Sequence, residues 1–277
     1  MNRQKTAGTI YEKNFVRIVD QLSYDRQKWE VWSDLMTMMA CAISNSVDRR
    51  PEVVEAREKE YLGRIKRYRN PELAAQAFAI VVKALDQDPD QDFLGGLYMK
   101  LELGSHWHGQ FFTPYSLCRM MAEIQITEPQ KHIEEHGWMS ICDPCIGGGA
   151  MMVAAASRFR SLGINYHDHV MFVGQDVDRV AGMMSYIQLS LLGCPGYIVI
   201  ANTLSNPLTG DVLIPTEKEG QEFWYTPFYF KDTWDMRRHI RIFSHLFREG
   251  TGKKTAEAEP QFIFFFNYEE TVDYVRA

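Results

Sequence analysis

Asp143-Pro144-Cys145-Ile146-Gly147-Gly148-Gly149 stands immediately after the apolar run 139–142 and just before the helix-spaced stretch 151–162. A short apolar run closed by glycines reads as a buried strand ending in a tight turn, and the spacing that follows puts that turn at a helix start. Glycines there let the backbone approach a ligand closely and leave amide donors free. A triple glycine by itself is more often only a turn. A second motif upstream gives it weight: Gly109-Gln110-Phe111-Phe112-Thr113-Pro114, an aromatic pair before Thr-Pro. Thr113 before Pro114 suits the N-cap and first position of a helix, and Phe111 or Phe112 offers a ring face to a cation or a flat base.

Outward from the turn, short apolar runs at 170–174 and 197–201 read as strands, and 151–162 and 180–192 as the helices between them. Strand-helix alternation of this kind builds a parallel, doubly wound α/β sheet with ligands at the carboxyl ends of its strands. The residues at those ends are Asp143, Asp176 and Asn202. The first hundred residues have a different grammar. Helical spacing predicts two packed helices within 10–47, a charged helix over 49–69 opened by Pro51, an Ala-rich helix over 72–85, and a further helix after the acidic turn 86–92. This predicts two units, a helical one over 1–104 and an α/β one over 105–277. Beyond Leu204 the pattern predicts strands over 211–215 and 223–230, an Arg-rich amphipathic helix over 234–247, a polar loop over 250–260 and a buried strand over 262–266.

Composition narrows the class. The 277 residues are 45% hydrophobic and 13% aromatic, which is globular, and no long uncharged apolar run suits a bilayer. Met1-Asn2-Arg3-Gln4-Lys5 leads into polar residues rather than an apolar export segment, so a cytoplasmic location is expected. Five cysteines fit a reducing compartment better than a disulfide framework. Cys142 and Cys145 form a C-x-x-C, and His106/His108 and His167/His169 form H-x-H pairs. The cysteine pair straddles a strand end, which splays its side chains, and no second C-x-x-C exists, so no metal site is expected. A net charge of -6 disfavours wrapping nucleic acid unaided, since phosphate affinity comes from Lys and Arg.

Taken in order, Gly109 to Pro114, Asp143-Pro144 with Gly147 to Gly149, Gly174-Gln175-Asp176 and Asn202-Thr203-Leu204 resemble successive motifs of adenine-N6 DNA methyltransferases. The likeness is to the modification subunit of type I restriction-modification systems and to related phage or mobile-element DNA methylases. A dinucleotide-binding sheet is the nearest competitor, but its G-x-G-x-x-G is absent and an upstream Phe-Thr-Pro has no role in it. The resemblance implies a Rossmann-like S-adenosylmethionine-dependent methyltransferase sheet behind an all-helical N-terminal domain. It implies that Phe111, Phe112, Thr113, Pro114, Asp143, Pro144, Gly147 and Gly149 bind S-adenosyl-L-methionine, that Asp176 meets the ribose, and that Asn202 meets the adenine. Two positions depart from the pattern: Asn202 stands where the family has Asp, and Cys145-Ile146-Gly147-Gly148 stands where Ala-Cys-Gly-Ser is usual.

The family grips the target base with Asn-Pro-Pro-Phe or Tyr, and no Asn-Pro-Pro occurs in this chain. Asn267 and Tyr268, just past the run 262–266, have the right setting and are the candidate catalytic residues. The expected function is that of an S-adenosylmethionine-binding DNA adenine-N6 methyltransferase-like protein. The alternative is a catalytically inactive protein of the same fold acting as a cofactor-binding, regulatory or scaffold subunit. DNA is the expected partner, reached through a specificity subunit, with oligomerisation left open. Arg237, Arg238 and Arg241 are the first candidates for DNA or partner contact. Arg49, Arg50, Arg57, Arg64, Lys66, Arg67 and Arg69 alternate with Glu52, Glu55, Glu58 and Glu60 and read as a solvated, internally paired face.

Overall fold

A computed structural model describes residues 2–103, 112–251 and 262–264. Five helices come first: α1 (Asn2–Leu22), α2 (Lys28–Val47), α3 (Pro51–Ile65), α4 (Glu72–Gln87) and α5 (Phe93–Lys100). Then follow α6 (Tyr115–Gln125), α7 (Pro129–His136), β1 (Met139–Asp143), α8 (Ala150–Ser161), α9 (Tyr166–His169), β2 (Val170–Asp176), α10 (Arg179–Leu191) and β3 (Gly196–Ile200). The chain continues through β4 (Thr209–Gly210), β5 (Pro215–Thr216), β6 (Glu222–Tyr225), α11 (Asp232–Thr251) and β7 (Phe262–Phe264).

The main sheet has the order β6-β3-β2-β1-β7. β3, β2, β1 and β7 run parallel, and β6 pairs antiparallel with β3. This is an α/β, Rossmann-like sheet. Its central strands are apolar on both faces, as strands covered on two sides must be. Ile141, Phe172 and Ile198 face one core, while Val173, Tyr197 and Val199 face the other. Asp143 pairs in register with Gly174, and Cys142 with Phe264, so β1 and the described part of β7 end within a residue of each other and β2 runs two residues further, to Asp176. The expected strands over 211–215 and 223–230 are replaced by the two-residue pair β4–β5, by β6, and by a 3-10 turn over Pro227–Phe230. Pro227 lacks an N–H and stops the ladder, which periodicity alone does not register. Among the described residues no helix is long and apolar enough to cross a membrane.

The helical unit and the sheet share one core. Phe15, Trp32 and Leu94 belong to the same buried cluster as Phe172, Ile198 and Trp224. The charged helix α3 departs from the expected solvated face. Arg57 is 7% exposed, its guanidinium lies 4.0 Å over the Trp224 ring, and it donates to the Phe223 carbonyl at 2.6 Å and to Ser44 Oγ. Glu60 pairs with Arg179 of α10, which grips Glu222 of β6 through two hydrogen bonds of 2.7 and 2.8 Å. Arg64 donates to the buried Asp34 at 2.6 Å, and Tyr68 joins it at 2.8 Å. The partners come from residues up to 166 positions away, beyond the reach of any helical-spacing rule.

Arg57→Ala should destabilise the chain by about 3 kcal/mol in denaturant unfolding, because it removes the cation packed on Trp224 and leaves the Phe223 carbonyl and Ser44 hydroxyl without their buried donor, while Asp48 keeps Arg50. Arg49→Ala, at an exposed position of the same cluster, should stay within about 0.5 kcal/mol.

Candidate cofactor site

The turn after β1 is held from three sides. Ile146 N–H donates to the Gln175 carbonyl at 3.0 Å, Gly149 N–H closes onto the Ile146 carbonyl at 2.9 Å, and Cys145 N–H donates to Asp143 Oδ1 at 2.9 Å. Gly147 N–H reaches across to Asp176 Oδ2 at 2.8 Å, tying the first strand end to the second. Gly147 and Gly149 have φ of +54° and +89°, conformations that side chains disfavour. Space around them is tight too. A Cβ on Gly149 would come within 3.1 Å of the Ser185 backbone on α10, and one on Gly147 within 3.3 Å of the Phe112 ring.

That last contact shows that the two sequence motifs meet. Phe112 lies against Gly147 and Gly148, with its ring centroid 4.9 Å from that of Tyr98 on α5. Thr113 and Pro114 are exposed at the entry to α6. Helix α6 begins one residue later than expected: Pro114, with ψ of 133°, is its N-cap, and Thr113 supplies no capping hydrogen bond. Pro144 is half-buried, and its carbonyl accepts from Thr203 Oγ1 at 2.5 Å, which fastens the turn to the loop after β3. Asn202 is exposed, and its Oδ1 accepts from Leu204 and Ser205 N–H. Phe111, Asn267 and Tyr268 lie outside the described residues. So do His106 and His108.

Electrostatics give the site its chemical preference. Asp143 is 2% exposed, and burial pushes its carboxyl up to about 6, with the Asp176 charge adding to the rise. Burial also raises Asp176 and Asp92, the N-cap of α5. Among the described residues no Lys or Arg offsets any of these three. Carboxylates desolvated without a cation favour a ligand that brings positive charge. S-adenosylmethionine, with an ammonium and a sulfonium against one carboxylate, is net positive, and the residues present could hold it: Asp143 would suit the ammonium, Asp176 the ribose hydroxyls and the Phe112 ring a flat or cationic face. A cavity of about 140 Å³ lined by Cys142, Val173, Tyr197 and Val212 opens on the opposite face of the sheet, and neither Asp143 nor Asp176 lines it.

Arg237, Arg238 and Arg241 all bond within the protein. Arg237 packs over Trp234 at 4.4 Å and donates to the Asp168 and Gly137 carbonyls. Arg238 donates to the Tyr229 carbonyl at 2.7 Å, and Arg241 pairs with Asp211 at 2.5 Å. Sequence reasoning missed Asp92, taken for part of an acidic turn, and Ser185 and Gln188, which are fully buried on α10. The available signal was Ser185 and Gln188, three apart, in the middle of a helix whose other central residues are mostly apolar.

The chain belongs to the N-6 DNA Methylase family, whose profile matches residues 98–272. It is therefore an S-adenosylmethionine-binding, adenine-N6 DNA methyltransferase-like protein. No curated protein matches the sequence. Among solved structures, a Listeria monocytogenes protein assigned to the class I S-adenosylmethionine-dependent methyltransferases is 12% identical, with TM-score 0.48, over 98% of this chain and 97% of its own. The methyltransferase subunit of a type I restriction-modification system from Streptococcus thermophilus is 13% identical, with TM-score 0.39, over 72% of this chain and 59% of its own. DrdV, solved in complex with DNA, is 15% identical, with TM-score 0.34, over 69% of this chain and 22% of its own. The chain thus spans just over half of the restriction subunit and about a fifth of DrdV.

Two outcomes follow from the carboxylates. A folded-state pKa above the unfolded value means that Asp143 costs stability progressively as the pH rises from the unfolded value of 3.8 to about 6, and in full above that. Asp143→Asn should therefore raise stability of the ligand-free chain at pH 8 by up to about 3 kcal/mol in denaturant unfolding, with the gain vanishing toward pH 4. The same substitution should weaken S-adenosylmethionine binding at least about tenfold by calorimetry. Gly149→Val should abolish that binding, since its φ of +89° strains a branched side chain and a Cβ would press the turn off the Ser185 backbone.

Proposed function

We propose that this chain transfers a methyl group from S-adenosylmethionine to adenine N6 in DNA, with Asn267 and Tyr268 holding the target base. The observation that carries the reading is the placement of β7. It lies parallel beside β1, with Phe264 level with Cys142, so the described end of β7 stands one residue short of the level of Asp143, where the glycine turn begins. Asn267 follows three residues on, within about 11 Å of Phe264 even if fully extended. An amide and an aromatic ring are what the chemistry asks for. The N6 lone pair is delocalised into the ring, and the base must be turned out of the duplex before it can react. Asn267 would accept from the amino group, Tyr268 would stack on the base, and fixed proximity would supply most of the acceleration. The cofactor, when bound, supplies an electrophilic methyl on sulfur.

In this reading Phe112, Asp143, Gly147, Gly149 and Asp176 hold the cofactor, with Phe111, Thr113, Pro114, Pro144 and Asn202 around them. The helical unit 1–104 forms one wall of the site, and 105–277 carries the chemistry. Sequence recognition falls to a partner subunit: the net charge is -6, and the guanidinium groups of Arg237, Arg238 and Arg241 are engaged inside the protein. In this reading the protein acts in the cytoplasm.

The test is transfer of labelled methyl from S-adenosylmethionine to DNA, followed by nucleoside analysis. Label in N6-methyladenine is expected, and Asn267→Ala should lower the rate at least about a hundredfold while leaving cofactor affinity within about threefold. A cofactor-binding chain that labels no DNA, alone or with candidate specificity subunits, would remove the catalytic reading.

A further inference from the structure

The glycine turn is gripped from behind by two side chains with no catalytic task of their own. Ser185 and Gln188 lie on one face of α10, and both are fully buried. Ser185 Oγ donates to the Gly147 carbonyl at 2.5 Å, and Gln188 Nε2 donates to the Gly148 carbonyl at 2.9 Å. Gln188 also donates to Asp92 Oδ1 at 2.8 Å and accepts from Leu94 N–H at 3.2 Å, so its amide spans from the glycine turn to the start of α5. Buried polar side chains satisfied this completely fix the groups they touch.

The orientation has a direct consequence. In a trans peptide the C=O and the next N–H point in opposite directions. With the Gly147 carbonyl drawn onto α10, the Gly148 N–H is turned away from it. Cys145, Ile146, Gly147 and Gly149 all donate to acceptors of the protein. Gly148 is the one amide in this run that donates to nothing among the described residues. A ring face, Phe112, lies beside it.

We propose that Ser185 and Gln188 are positioning residues for the cofactor: they hold the Gly147 and Gly148 peptides so that the Gly148 N–H stays aimed at an acceptor atom of S-adenosylmethionine. Through Asp92 and Leu94, Gln188 makes that aim depend on the packing of α5, so the helical unit sets cofactor affinity without touching the base. The inference rests on the cofactor reading but not on turnover.

Calorimetric titration with S-adenosylmethionine at pH 8 tests it, on the full chain and on Ser185→Ala and Gln188→Glu. Ser185→Ala removes one oxygen and should keep the fold, with a thermal midpoint within a few degrees, yet bind about tenfold more weakly. Gln188→Glu replaces a donor by a carboxylate facing Asp92 and the Gly148 carbonyl. Its affinity deficit relative to the unsubstituted chain should shrink between pH 8 and pH 6, as a protonated Glu regains a donor. A role in packing alone would leave that ratio flat. Binding by Ser185→Ala within twofold of the unsubstituted chain, or a pH-independent ratio for a folded Gln188→Glu, would overturn the inference while leaving the cofactor reading intact. Failure of the unsubstituted chain to bind would overturn both. Should Gln188→Glu not fold, Ser185→Ala decides.

Discussion

Everything at this site depends on how closely the turn after β1 passes beneath α10. Gly149 lies so near the Ser185 backbone that a Cβ would stop 3.1 Å from it. That approach brings the hydroxyl and amide of α10 onto consecutive carbonyls, and it sets the Asp143 carboxyl in a dry corner of the sheet. Moving the turn outward by one methyl group would break the hydrogen bonds that aim it. It would also give Asp143 water and remove its need for a cationic ligand. Steric closeness and electrostatic demand are here two results of one packing contact.

The cost of such a site falls on the ligand-free chain. Three carboxylates raised by desolvation oppose folding at neutral pH, and the fold offsets them with strong pairing elsewhere. Arg179 between Glu60 and Glu222 and Arg57 over Trp224 lie along the seam between helices and sheet, and Asp34 beneath Arg64 and Tyr68 ties α2 to the end of α3. Those charges are matched by opposite charges; the ones at the strand ends accept backbone N–H groups alone among the described residues. The contrast separates residues that hold the molecule together from residues that await a ligand.

Legibility in the sequence followed the range of the interaction. β1, β2 and β3 and the helices between them were readable because burial on both faces leaves continuous apolar runs with glycine or polar ends. Asp143 and Asp176 were readable because a strand end followed by a turn has a position in the fold before any contact is known. The start of α6 was misplaced by one residue, since Pro114 is compatible with either N-cap or first helical position and its ψ decides which. The helix over 234–247 and the strand from 262 were readable too, but the strands over 211–215 and 223–230 were misread because β6 is shaped by its pairing with β3 and by Pro227, not by its own alternation.

By itself, then, the sequence determined the sheet, the order of the motifs along it and the chemistry at the strand ends, all consequences of local periodicity and residue type. Tertiary structure decided the rest. It put Phe112 against a turn more than thirty residues away, turned Arg57 from a surface charge into a buried pin on Trp224, bound Arg237, Arg238 and Arg241 within the fold, and gave Ser185 and Gln188 a purpose. Each of these depends on which distant surface a side chain meets. Meetings of that kind arise from the packing of whole elements and leave no periodic trace in the chain.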